Sequence, residues 1–298
     1  MEKTRTLIQI TCMCNDIDNL ERTLFQLSNN ALSLDKNKNY IILEVNMLVS
    51  DHLINWKDSL LKKDFFKTKF NHLKNYTEWT NESYFYFDDT SYGGCDITNV
   101  KINSKHKFDN IICLDPDLIF PNHTLSTFLD STNLLPKSKY IITPSLVKLW
   151  DNTWDVLVNS NFLDKPFDYN KTNNSIADVN QNYDNMSLTP LPQIKFSGGW
   201  FTLMSKELID FLKIPADTKG FYPLDTAIMF GCSQFSDITQ YKIDNLVVCE
   251  DQKITSRNLY TDYISFTGKN KDHYQSEFIK LIDHFYDLKQ NHQEKSTI

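Results

Sequence analysis

Glycine is scarce in this chain: seven residues in 298, about a third of the usual abundance of roughly 7%. Few positions can therefore take the left-handed backbone that tight phosphate-cradling loops need. The seven stand at 93, 94, 198, 199, 220, 231 and 268, and no three of them fall in the G-x-G-x-x-G spacing of the dinucleotide fingerprint. Only Gly268 precedes a lysine, and the position five before it is Tyr263, which excludes the Walker A loop. Cysteine pairs are missing as well: the six cysteines, at 12, 14, 95, 113, 232 and 249, include no C-x-x-C, and Cys113 and Cys249 lie in apolar runs. That pattern reads as buried free thiols in a reducing compartment rather than a disulfide or zinc framework. No apolar stretch approaches the roughly 18 uninterrupted residues of a membrane span, and the polar start leads into a short apolar run unlike a signal peptide. The expectation is a cytoplasmic chain with no transmembrane segment, in which sequons such as Asn75-Tyr76-Thr77 carry little meaning. Excess positive charge is also lacking, since 31 basic residues face 38 acidic ones for a net charge of -7. This argues against nucleic acid or anionic lipid as a partner, though a local basic pocket remains open.

Aromatic and aliphatic residues are plentiful. With 41% hydrophobic residues, including 20 Phe, 14 Tyr and 5 Trp, the chain can bury a sizeable core. The expected organisation is one main unit over residues 1–270 and a helical C-terminal appendage over 271–298. Leu7 to Cys12 reads as a strand. Asn15 or Asp16 follows as an N-cap, and then Ile17, Leu20, Leu24, Leu27, Ala31 and Leu34 form one helix face. Tyr40 to Val49, Tyr84 to Phe87, Asn110 to Leu114 and Tyr140 to Thr143 predict further strands, with a helix-like stretch from Leu53 to Leu61. Residues Asn159 to Gln193 are rich in Asn and Asp and read as a long loop. Beyond it, Phe201 to Met204 and Asn245 to Cys249 predict strands, and Ser205 to Lys213, Pro223 to Gln234 and Phe278 to Leu288 predict helices. Alternation of this kind means an α/β fold, a mostly parallel sheet flanked by helices, whose ligands bind beyond the carboxyl ends of the strands.

The segment Asn110-Ile-Ile-Cys-Leu-Asp115-Pro-Asp117 ends an apolar strand in two carboxylates one residue apart. In an extended chain both lie on one side, and a cation between them would relieve their repulsion. Oxygen ligands of this kind suit Mg²⁺ or Mn²⁺. The alternative is an exposed D-P-D turn closing a buried strand. Glu44 and Asn46 share a strand face by the same spacing, either toward a nucleoside or as solvated strand-end residues.

The segment resembles the D-x-D strand end of the GT-A glycosyltransferases, family 2-like in character, and further pieces match in order. Glu44 and Asn46 resemble the second strand of one subset, near the nucleotide; Ser91-Tyr92-Gly93-Gly94 resembles the glycine-containing turn before the D-x-D strand. Phe196 to Met204, containing Gly198, Gly199 and Trp200, resembles the acceptor-side strand, and Gly220 to Thr226 resembles the helix start bearing the family's carboxylate. The resemblance spans roughly residues 6 to 270 as a succession of short motifs.

It implies a Rossmann-like GT-A fold and a nucleotide-diphosphate sugar donor, a UDP- or GDP-sugar, with a glycan or glycoconjugate as acceptor. Asp115 and Asp117 would hold the metal, with Asp115 also beside the donor, and Glu44, Asn46, Gly94 and Lys269 would contact the donor. Asp225, at a helix start, would be the base of an inverting reaction, or else a carboxylate satisfying backbone amides. Gly199 and Trp200 would receive the acceptor, or Trp200 would fill the core at a bulge. Ile264 to Lys269 resembles the family's His-Phe-x-Gly-x-x-Lys segment, yet Ser265 stands in place of the histidine. His273 could then serve as the third ligand or simply be solvated, and Lys269 or Lys271 could reach a phosphate or belong to the charged surface. Competing readings are a non-catalytic glycan- or partner-binding module on the same fold, a haloacid-dehalogenase-like phosphatase and a nucleotidyltransferase. The phosphatase motif usually opens its domain, with Thr or Val where Ile119 stands here, and the nucleotidyltransferase usually has a glycine-rich loop.

Overall fold

The computed structural model describes residues 2–48, 59–88, 105–136, 138–148, 187–191, 201–215, 224–250 and 271–296. Its strands are β1 (Thr4–Met13), β2 (Asn39–Leu48), β3 (Glu82–Asp88), β4 (Asn110–Leu114), β5 (Leu118–Ile119), β6 (Tyr140–Lys148), β7 (Leu188–Pro190), β8 (Phe201–Ser205) and β9 (Thr239–Glu250). They form one sheet in the order β3-β2-β1-β4-β8-β6-β9-β5, with β7 pairing against β9. β3, β2, β1 and β4 are mutually parallel. β8 runs antiparallel between β4 and β6, and β6 and β9 are again parallel. The helices are α1 (Ile17–Ala31), α2 (Ser59–His72), α3 (Thr124–Thr132), α4 (Lys206–Leu212), α5 (Leu224–Ser233) and α6 (Lys271–Ser296). This is the expected α/β architecture, a mostly parallel sheet flanked by helices.

Strand alternation divides the core into two layers. Ile8, Ile10 and Cys12 of β1, with Leu43, Val45 and Met47 of β2 and Ile112 and Leu114 of β4, pack with Leu20, Leu24 and Leu27 of α1 and Phe128 of α3. The intervening residues Leu7, Ile42, Ile111 and Cys113 pack in the opposite layer with Leu208 and Leu212 of α4, Ile228 and Cys232 of α5, and Leu281 and Phe285 of α6. Central strands covered on both faces need apolar residues at successive positions, which is why Asn110 to Leu114 reads as an unbroken run. Ser205 caps α4 by accepting from the Leu208 amide at 3.2 Å, and Lys213 ends it in the left-handed region at φ 46°.

Several expected boundaries shift. β6 continues past Thr143 to Lys148 across an irregularity between Pro144 and Ser145, where proline has no amide to give the ladder. β9 begins at Thr239, because Tyr241 and Ile243 are buried between polar neighbours in a period-two pattern shorter apolar runs conceal. α2 continues to His72, whereas residues 53–58 of the expected helix lie outside the described residues. Of the expected loop from Asn159 to Gln193, residues 159–186 and 192–193 lie outside the described residues; the remainder contains β7, which pairs Leu188 with Ile243 and Pro190 with Tyr241, and a proline is tolerated there because among the described residues β7 pairs along one neighbour, β9. α6 spans Lys271–Ser296, well beyond Phe278 to Leu288.

Candidate active site at the strand ends

The parallel strands β1, β2, β3 and β4 bring their carboxyl ends to one side of the sheet, the place where ligands bind in such folds. β4 stops at Leu114, and Pro116-Asp117 forms a turn before Leu118. This corrects the expectation that strand alternation alone aligns Asp115 and Asp117. The chain must leave the sheet's centre here, because Leu118 and Ile119 pair with Glu250 and Cys249 of β9. Helix α1 holds the turn. Thr23 donates from its hydroxyl to the Pro116 carbonyl at 2.6 Å. The Gln26 carboxamide donates to the Leu118 carbonyl at 3.1 Å and accepts from the Phe120 amide at 3.0 Å. Asp115 and Asp117 are both half-buried, so the segment is not a fully exposed surface turn.

Asp16, one of the two residues offered by the sequence as an N-cap, is a third carboxylate at these strand ends. It is buried and makes no side-chain cap bond to α1. Burial, and then the charge of Asp115, push its carboxyl up to about 6, against an opposing hydrogen bond from Asn19. Arg22 in turn donates to Asn19. The available sequence signal is positional: Asp16 lies three residues past the end of the first strand of a parallel sheet, in the short turn Cys14–Asp16, where N-cap and ligand-side carboxylates look alike.

The carboxylate oxygens of Asp115 and Asp117 are hard donors of the kind Mg²⁺ and Mn²⁺ prefer, and the like charge that raises Asp16 is what a cation would offset. Among the described residues no group of three or more His, Cys, Asp or Glu converges as a ligand set. The pair fits the mode in which one or two carboxylates share a metal ion with substrate phosphates and water.

A second polar group crosses β1 and β2. Glu44 and Asn46 are buried, which corrects the alternative that they are solvated. Glu44 Oε1 accepts from Gln9 Nε2 at 2.6 Å and from Asn46 Nδ2 at 3.0 Å, and Glu44 Oε2 lies 3.2 Å from His106 Nε2. Asn46 sits in register between Thr11 of β1 and Tyr86 of β3, and Tyr86 is 47% exposed. Gln9 and His106 were not singled out by sequence; their approach to Glu44 depends on strand register and on a loop far along the chain.

The remaining candidates are placed only in part. Gly94, Gly199, Trp200 and Lys269 lie outside the described residues. Asp225 is the second residue of α5 and His273 the third of α6, but their side chains lie outside the described set.

No protein-family model matches the chain, and no curated protein matches it. Solved structures do resemble it. One is S. aureus TarS 1-349, at 10% identity and a TM-score of 0.47, covering 96% of this chain and 71% of that one. The same protein in complex with UDP-GlcNAc gives 11% identity, a TM-score of 0.47, and coverage of 96% and 72%. The mannosyltransferase PcManGT from Pyrobaculum calidifontis, in complex with GDP-Man and Mn²⁺, gives 10% identity, a TM-score of 0.46, and coverage of 97% and 74%. Against the longer TarS chain the coverage is 44%. Likeness of this extent assigns neither donor nor acceptor to this protein. Cys12, Cys14, Cys113 and Cys232 are buried free thiols, and burial, followed by Asp16 and Cys14, pushes the Cys12 thiol up. Among the described residues no helix is long and apolar enough to cross a membrane.

Proposed function

We propose that this protein is a divalent-metal-dependent glycosyltransferase of the GT-A kind that moves a sugar from a UDP- or GDP-sugar to a hydroxyl of a glycan or glycoconjugate. The observation that carries this reading is the half-buried Asp115-Pro116-Asp117 turn at the carboxyl end of a central parallel strand, with buried Asp16 beside it. Asp115 and Asp117 would hold Mg²⁺ or Mn²⁺, which when bound supplies neutralisation of the charge that grows on the leaving diphosphate. α1 keeps the carboxylate turn in place through Thr23 and Gln26. Glu44 and Asn46 would face the nucleoside, with Gly94 and Lys269 on the phosphate side and Gly199 and Trp200 on the acceptor side. Asp225, near the start of α5, would take the proton of the acceptor hydroxyl as general base, which favours inversion. His273 is the candidate for a further protein ligand. The buried free thiols are in keeping with a cytoplasmic setting.

Nucleotide release measured across a panel of sugar donors with Mn²⁺ tests the assignment. Asp117→Ala should abolish metal-dependent donor binding, whereas Asp225→Ala should retain binding and lose transfer. The assignment fails if no donor is hydrolysed or transferred and no nucleotide shifts the melting temperature. Equal loss of donor affinity in the two variants would reject the division of roles.

A further inference from the structure

His106 lies outside every motif discussed so far, yet it touches a buried carboxylate. Its imidazole stacks on Tyr84, with ring centroids 4.1 Å apart and planes at 29°. Tyr84 is anchored by its hydroxyl, which donates to Glu82 at 2.6 Å. The backbone just after His106 is tied to β1: the Arg5 amide donates to the Asp109 carboxylate at 2.8 Å and the Asp109 amide donates to the Arg5 carbonyl at 2.8 Å. A ring held from both directions presents Nε2 to Glu44 Oε2 at 3.2 Å.

The consequence falls on Asn46. A carboxamide has chemically opposite ends, and which end faces a ligand follows from what the other end meets. Asn46 Nδ2 donates to Glu44 Oε1 at 3.0 Å; the flipped amide would set its oxygen against the carboxylate. Asn46 therefore keeps its amino group turned toward Glu44 and offers Oδ1 as an acceptor for as long as Glu44 stays in place. A buried carboxylate needs several donors to remain so, and Gln9, Asn46 and His106 supply them.

We propose that His106 is a positioning residue for nucleoside recognition: through Glu44 it fixes the Asn46 carboxamide so that Oδ1 meets a base whose ring nitrogen carries a proton. This rests on the reading in which Asn46 contacts the nucleoside of the donor. Uracil and guanine carry such an N–H, at N3 and N1; cytosine and adenine have a lone pair at the corresponding ring positions. Without His106, Glu44 loses a donor on Oε2. It can then rotate away from Asn46, which lets the Asn46 amide turn over and present donor and acceptor alike.

The test is calorimetric binding of UDP, CDP, GDP and ADP with Mn²⁺ to the wild-type chain, His106→Phe and His106→Gln. Phe preserves the stacking on Tyr84 without the N–H; Gln restores an N–H without the ring. The wild type should prefer UDP over CDP and GDP over ADP by about tenfold or more, since a site built to accept a hydrogen bond rejects an analogue lacking the donor. His106→Phe should reduce that preference severalfold at similar melting temperature, and His106→Gln should recover it. If His106→Phe does not fold, His106→Ala with and without added imidazole gives the same reading: recovery of the preference by imidazole supports the role and lack of recovery overturns it. An undiminished preference in His106→Phe, or a wild type that binds nucleotides without preference, overturns the role of His106 alone. A wild type that binds no nucleotide overturns the donor reading and this role together.

Discussion

The Thr23 hydroxyl on α1 donates to the Pro116 carbonyl at 2.6 Å, and the bond spans the point where the chain turns between Asp115 and Asp117. A proline carbonyl in a buried turn has no ladder to satisfy it, so the helix does. The spacing of the two carboxylates is thereby set by a residue of the first helix, 93 positions upstream.

Thr23→Val keeps the shape and removes the donor. It should destabilise the chain by about 1–3 kcal/mol, the range for a buried acceptor left without its bond, whereas Thr23→Ser should cost less. Urea denaturation measures the loss. On the proposed function, the concentration of Mn²⁺ needed for half-maximal nucleotide binding rises in Thr23→Val as well.

Gln26 secures the next residues through two bonds, to Leu118 and Phe120. Gln26→Leu should cost about 2 kcal/mol by the same argument. Because both side chains hold one turn, the double variant with Thr23→Val should lose less than the sum of the single losses. Strict additivity in a double-mutant cycle would show that the two contacts act independently.

Asp16 gives a pH signature of definite sign. Its carboxyl is raised from 3.8 to about 6 in the folded chain, chiefly by burial and then by Asp115. Its contribution to stability is therefore fully present below the unfolded value and is lost as pH rises through about 6. Asp16→Asn should match the parent near pH 3.5 and exceed it by roughly 2 kcal/mol at pH 7.5. Thermal melts from pH 3.5 to 8 measure the gap, and a gap that shrinks as pH rises would contradict the assignment.

Gly231 of α5 admits Phe285 of α6 against its bare backbone: a methyl group there would collide with the ring. Phe285 is fully buried and has little room to give way. Gly231→Ala should therefore cost about 1–3 kcal/mol, despite the better helix propensity of alanine. In a Phe285→Ala background the same change should become neutral or stabilising by up to about 1 kcal/mol. Chemical denaturation of the four variants reads the reversal.

The sequence revealed what local pattern encodes. The three-and-four spacing from Ile17 to Ala31 marks α1, and the apolar run from Asn110 to Leu114 marks β4 together with the carboxylates that follow it. What it concealed depends on distant partners. β7 is three residues in an Asn/Asp-rich stretch and becomes a strand because β9 lies alongside. Glu44 reads either as a nucleoside contact or as a solvated strand residue until register sets Gln9 opposite it. Asp16 looks like any N-cap until Asp115 is brought near. Thr23 and Gln26 look like ordinary polar positions on an amphipathic helix, and only the path of β5 gives them their task.

The close seat of Phe285 on Gly231 has a further consequence for biogenesis. The sheet layer that receives Leu281 and Phe285 includes Leu7, Ile42 and Ile111, which leave the ribosome long before α6 does. During translation that layer stays incomplete until α6 packs on α5, and a nascent chain paused before residue 281 is a natural client for chaperones.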